Sequence, residues 1–102
     1  MRIIAKKAIS LFGEKHPDAL APLLRWCSLI EDGEWTNFGE LRSVLPSADQ
    51  VRVASGRTAT VFNISGNKYR LISAIHYNRQ TIFIMRIYSH KDYDKINWKS
   101  QL

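Results

Sequence analysis

Hydrophobic spacing changes character near the middle of this chain. Over residues 6–15, Ala8, Ile9, Leu11 and Phe12 recur at helical intervals, and over 18–30 Ala19, Leu23, Trp26, Cys27 and Ile30 fall on one helical face. His16-Pro17 divides the two segments, because a proline drives the residue before it out of the helical region. Asp18 stands where a side-chain oxygen can cap the second helix. Pro22 falls in that helix's first turns, where a missing backbone donor costs little. A helical hairpin is therefore expected. Ahead of it, Met1-Arg2-Ile3-Ile4 is short and β-prone, suited to a sheet edge. Gly33, Asn37 and Gly39 bound a loop around Trp35 and Phe38, and a short helical piece over 40–44 ends at Pro46.

From Val51 onward the period falls to two. Strands are expected over 51–53, 58–64, 69–75 and 82–88. They are joined by the turn-forming stretches Ala54-Ser55-Gly56, Ser65-Gly66-Asn67 and His76-Tyr77-Asn78-Arg79-Gln80. Connections this short join antiparallel neighbours. Ser89-His90-Lys91-Asp92 follows the last strand and matches the Ser-x-x-acid box that opens a helix. Trp98, a turn further on, is placed to pack that helix back onto the body. The pattern predicts an α+β chain forming one domain over residues 1–102. Its N-terminal helical hairpin packs on one face of an antiparallel sheet, and a short C-terminal helix follows.

Charge sharpens the division between the halves. Residues 1–49 carry six basic and seven acidic side chains, residues 50–102 nine basic and two acidic, and the whole chain is +6. A sheet bearing cations on a rigid frame attracts phosphate, and nucleic acid is the natural polymeric partner. A composition of 45% hydrophobic and 24% charged residues argues against disorder. Cys27 is the only cysteine, so neither an intramolecular disulfide nor a Cys-based zinc site is available, and it reads as a small core residue. No apolar run reaches the ~18 residues of a membrane span, and the amino terminus lacks a signal-peptide core. A cytoplasmic protein without membrane contact is expected.

The strand over 69–75 holds the first candidates. With a period of two, Lys68, Arg70, Ile72 and Ala74 share one face and Tyr69, Leu71, Ser73 and Ile75 the other. If helices cover the second face, Lys68 and Arg70 rise from the first, either to hold an anion or simply to reach solvent. The side taken by Arg86 depends on register. A hairpin symmetric about Asn78 sets it opposite Arg70, whereas a two-residue turn at Asn78-Arg79 sends it to the other face. Directly opposed arginines repel unless an anion lies between them.

His16 and His76 read as solvated loop residues. His90, Tyr93 and Asp94 stand at i, i+3 and i+4, hence on one helical face. An imidazole there can exchange protons near neutral pH, Asp94 can hold it in one tautomer, and a tyrosine can donate a hydrogen bond or a proton. The competing reading is an ordinary surface histidine in a first helical turn. The chain has no carboxylate cluster or paired-histidine spacing, and no Gly-x-Ser-x-Gly, Walker or dinucleotide motif, so no metal and no cofactor are expected. A nuclease made of these residues would let an RNA 2′-hydroxyl attack the neighbouring phosphorus, a route closed to DNA.

Two runs carry a family resemblance. Val61-Phe62-Asn63-Ile64-Ser65-Gly66-Asn67-Lys68-Tyr69-Arg70-Leu71-Ile72, followed by Ser89-His90-Lys91-Asp92-Tyr93-Asp94-Lys95, resembles the HigB toxins of bacterial type II toxin–antitoxin systems, within the RelE-like superfamily. The family pattern is roughly Phe-Asn-Ile-x-Gly-Asn-Lys-x-Arg-Leu, then Thr-His-x-Glu-Tyr-Asp. The likeness extends through the apolar helices and Leu45-Pro46-Ser47-Ala48-Asp49 to nearly the whole chain. It implies a compact RelE-like fold and an mRNA interferase, an endoribonuclease cutting mRNA in the ribosomal A site. It also implies neutralisation by a HigA-type helix-turn-helix antitoxin, with DNA met only through that partner.

Carried over by position, the resemblance gives Arg70 the scissile phosphate and His90 or Tyr93 the protons. Lys68 and Lys91 would position the RNA backbone, with Arg86 and Asp94 completing the RNA-binding set, and Asn63 and Asn67 would shape the turn. Ser89 and Asp92 replace the family's Thr and Glu, a mild change. Many relatives carry a basic residue where Met85 stands. Here the cation is Arg86, which in a regular strand faces the other way unless a bulge restores its direction. Two other functions fit the same fold: a non-catalytic RNA or ribosome binder, and a toxin directed at DNA gyrase, although the latter needs no proton-transfer groups.

Overall fold

Two apolar layers, one on each face of a five-stranded sheet, organise the computed structural model, which describes residues 1–102. In chain order the elements are β1 (Arg2–Ile4), α1 (Lys7–Lys15), α2 (Pro17–Asp32), α3 (Phe38–Val44), β2 (Asp49–Arg52), β3 (Thr58–Ile64), β4 (Tyr69–His76), β5 (Thr81–Ser89) and α4 (His90–Lys95). A 3₁₀ turn at Tyr77–Arg79 links β4 to β5, and another at Trp98–Gln101 follows α4.

The sheet order is β1-β5-β4-β3-β2. β2 to β5 form the expected antiparallel meander, but β1 lies parallel to β5, with Arg2 beside Thr81 and Ile4 beside Phe83. The sheet is therefore mixed rather than wholly antiparallel. Everything between β1 and β5, including all three N-terminal helices, acts as the long crossover that a parallel pair requires.

Period-two alternation sorts the strands cleanly. Phe62, Ile64, Leu71, Ile82 and Ile84 face the helices and bury themselves against Ile9 of α1 and Leu23, Trp26 and Ile30 of α2. Trp26 and Phe62 meet edge to face at 5.3 Å. Each such aliphatic side chain contributes about 1.5–3 kcal/mol on burial. The opposite face carries Val61 and Ile72, roofed with Val53 and Ala59 by Trp98 from the C-terminal turn. Ser65 and Gly66, both left-handed at φ 54° and 67°, reverse the chain between β3 and β4, a geometry that glycine adopts freely.

Local chemistry shifts several boundaries. α3 starts at Phe38, earlier than its apolar spacing predicts, because Asn37 caps it: Glu40 N–H donates to Asn37 Oδ1 at 2.9 Å, and Glu40 Oε1 accepts from Thr36 N–H at 2.7 Å. α2 starts at Pro17 with His16 at its N-cap, so Asp18 is not the cap. Its carboxylate instead pairs with the Lys68 ammonium and accepts the Tyr69 hydroxyl at 2.7 Å. His16 stacks on Phe12 at 4.3 Å and meets Tyr69 edge-on at 5.5 Å, half-buried rather than solvated.

The Asp18 tie has a consequence for acid stability. Hydrogen bonds from Lys68 first, and Tyr69 second, hold the Asp18 carboxyl below its ordinary 3.8. The unfolded chain therefore takes up that proton first, so the stabilisation is complete above 3.8 and fades as pH falls through the depressed value. Asp18→Asn should flatten the acid limb of a plot of denaturation midpoint against pH. An unchanged limb would show that the tie carries no linkage.

Candidate active site

Arg70 leaves β4 on the face away from the helical hairpin, as the alternation predicts. Its guanidinium lies 5.5 Å from the centroid of the Tyr93 ring, and its Nη1 donates to the Asn67 carbonyl at 3.3 Å. The junction that brings α4 alongside is fixed by backbone. Tyr69 pairs with Ser89, and His90 N–H donates to the Lys68 carbonyl at 2.9 Å. Ser89 Oγ then accepts Asp92 N–H at 3.2 Å, opening α4 where the capping box predicts.

The register of the β4–β5 hairpin matches neither sequence alternative in full. Near the turn His76 pairs with Thr81 and Ser73 with Ile84, but beyond them Ile72 pairs with Arg86 and Arg70 with Tyr88. Met85 is the extra residue of a β-bulge. The bulge returns Arg86 to the face of Arg70, diagonally rather than directly opposite, which avoids the repulsion of an opposed pair. Arg86 Nη1 donates to the Met85 carbonyl at 2.8 Å.

His90 and Asp94 face each other across one helical turn, with Nε2 3.3 Å from Asp94 Oδ2 and both side chains about half exposed. Tyr93 is different in character. It is half-buried against Trp98, ring centroids 5.5 Å apart. Burial pushes its phenol above the ordinary 10.0, partly offset by Arg70 and reinforced by Asp49 and Asp94. A protonated phenol in this position can donate a hydrogen bond or a proton.

The structure therefore brings Arg70, Tyr93 and Arg86 together on one sheet face, with His90 and Asp94 on the adjoining helix. Lys91 is exposed on that helix. Lys68 departs from the period-two reading. It lies in the turn before β4, where strand alternation does not apply, and its ammonium reaches the helix side to Asp18. Tyr88 has no motif to mark it, yet it stands directly across from Arg70, and strand spacing from Arg86 is its only sequence signal. No three His, Cys, Asp or Glu side chains converge as a metal-ligand group, and no helix is long and apolar enough to cross a membrane.

This helix-backed sheet, cationic on its far face, has the architecture of a RelE-like toxin. A sequence model of the HigB toxins, described as the RelE-like toxic component of a toxin–antitoxin system, matches residues 19–96, and the chain belongs to that family. Among curated relatives, the mRNA interferase toxin HigB of Escherichia coli (strain K12) and the mRNA interferase HigB of Shigella flexneri are similar. Each is 29% identical over 94 residues, which cover 92% of this chain and 88% of theirs. Membership makes the chain a toxin component and implies an antitoxin partner.

Proposed function

We propose that this toxin is an endoribonuclease acting on mRNA, and that the Arg70–Tyr93 pair beside His90 is where the phosphodiester is cut. The observation that carries this reading is the Arg70 guanidinium, on the sheet face away from the hairpin, 5.5 Å from the ring of Tyr93 in a helix that begins with histidine. In the reaction, the RNA 2′-hydroxyl attacks the adjacent phosphorus and the 5′-oxygen leaves. Arg70 neutralises the charge that accumulates on the phosphoryl oxygens. Tyr93, held protonated, gives a proton to the leaving oxygen, and His90 receives the one lost by the 2′-hydroxyl while Asp94 orients its ring. Arg86 and Lys91 hold flanking phosphates. Lys68 joins them only by exchanging Asp18 for phosphate.

The same reading extends to its setting. A single domain over residues 1–102 works in the cytoplasm on mRNA in the ribosomal A site, without metal or cofactor. A HigA-type helix-turn-helix antitoxin restrains it. Support comes from the mRNA interferase names of the Escherichia coli and Shigella flexneri relatives and from a basic sheet face of the kind that holds nucleic acid.

Induced expression of the toxin alone should arrest growth and fragment transcripts. The purified protein, with ribosomes supplied, should leave 2′,3′-cyclic phosphate ends and fail on RNA carrying a 2′-deoxy nucleotide at the scissile position. RNA bound but never cut would favour the non-catalytic reading. Intact transcripts beside damaged DNA would favour gyrase.

A further inference from the structure

The cationic face does not end at Arg86. At the far end of the sheet, Arg2, Ile4, His76, Arg79, Thr81 and Phe83 line a depression of about 400 Å³. Register puts Arg2, Thr81, Phe83 and His76 on the same face as Arg70, because Arg2 and His76 both flank Thr81 and Ile4 flanks Phe83. A second hollow of about 550 Å³ shares His76, with Ala59, Ala74 and Met85 in its apolar wall and Arg57 beside them.

The chemistry of this end is that of a single-strand platform. Phe83 is 38% exposed, far above the strand core, and the His76 ring meets it edge-on at 5.5 Å. Neither Arg2 nor Arg79 has a carboxylate partner; the ion pairs of the molecule lie elsewhere, at Lys6–Glu31, Lys68–Asp18 and His90–Asp94. No acidic residue occurs between Asp49 and Asp92, so nothing on β3, β4 or β5 offsets the positive charge. Aromatic faces beside unpaired cations are how proteins hold unpaired nucleic acid without reading its sequence.

We propose that Arg2, Arg79 and Phe83 form a second RNA subsite: the arginines take backbone phosphates and Phe83 stacks a base, while the strand between passes Arg86 and Met85. This rests on the reading that the Arg70 face takes RNA. The six residue steps from Arg70 to His76 along β4 span about 20 Å, a distance bridged by several nucleotides. The subsite therefore contributes to binding long RNA and nothing to a short fragment seated at Arg70.

The test is fluorescence anisotropy with uncleavable 2′-O-methyl RNA, one probe of about 12 nucleotides and one of about 4, within the range of single-strand site sizes. Phe83→Ala should weaken the long probe about tenfold, and Phe83→Tyr should restore it. Arg2→Ala with Arg79→Ala should make the slope of log affinity against log salt shallower by about 1.4, at about 0.7 for each single-strand phosphate left without its arginine. Both should leave the short probe unchanged. Long-probe affinity and salt slope equal to wild type in all variants would overturn the subsite, even with cleavage intact. A wild type that cuts no RNA, with these binding losses still seen in the variants, would overturn the nuclease reading and leave the subsite standing. Loss of binding to the antitoxin rather than to RNA would also overturn it.

Discussion

Arg70→Ala should abolish growth arrest and slow RNA cleavage by about 10²–10³-fold, the loss that follows removal of one oriented donor to a developing anion. The effect should fall on kcat more than on KM, because the phosphodiester's single negative charge is joined by a second only as the 2′-oxygen bonds to phosphorus. Stability should hardly change. The Arg70 side chain is half exposed, makes one 3.3 Å bond to a turn carbonyl and lies over a ring that Trp98 already supports. Arg70→Lys should recover only part of the rate, since a point charge lacks the planar fork that grips two phosphoryl oxygens. Single-turnover cleavage beside thermal melts reads both quantities. An Arg70→Ala protein that melts normally and remains fully toxic would remove Arg70 from the chemistry.

Much of this site is legible in the sequence, for identifiable reasons. Strand alternation alone assigns Arg70 its face, because β4 is regular there and its alternate residues Leu71 and Tyr69 are buried. The Ser89 box marks the start of α4, since a cap is local chemistry that needs only neighbouring residues. What stays hidden is non-local. Arg86 takes its face from a single extra residue, Met85, which resets every pairing beyond it. The parallel pairing of β1 depends on where the chain returns after three helices. Lys68 and Asp18, fifty positions apart, find each other only once α2 lies across the start of β4. Periodicity describes an element, and a partner on another element is invisible to it.

Trp98→Ala should destabilise the protein by about 3–5 kcal/mol, a large share of the roughly 5–15 kcal/mol that a domain of this size has in total. The residue is 2% exposed and roofs Val53, Ala59, Val61 and Ile72, the five together making the smaller of the two apolar clusters. Its loss leaves a cavity that short neighbours such as Ala59 cannot fill. The C-terminal turn is otherwise held by few bonds, among them Ala54 N–H to the Lys99 carbonyl at 2.9 Å. The larger cluster, with 17 buried residues under the helices, is untouched, so the fold should survive at low temperature with a lowered urea midpoint. Activity should fall further than stability alone explains. Tyr93 rests on the Trp98 ring at 5.5 Å, and without that support the phenol loses the packing that holds it beside Arg70. Trp98→Phe keeps an aromatic platform and should recover most of the rate. Measured where both variants are folded, a Trp98→Ala protein with wild-type kcat would show that Tyr93 holds its position, or its role, without the indole beneath it.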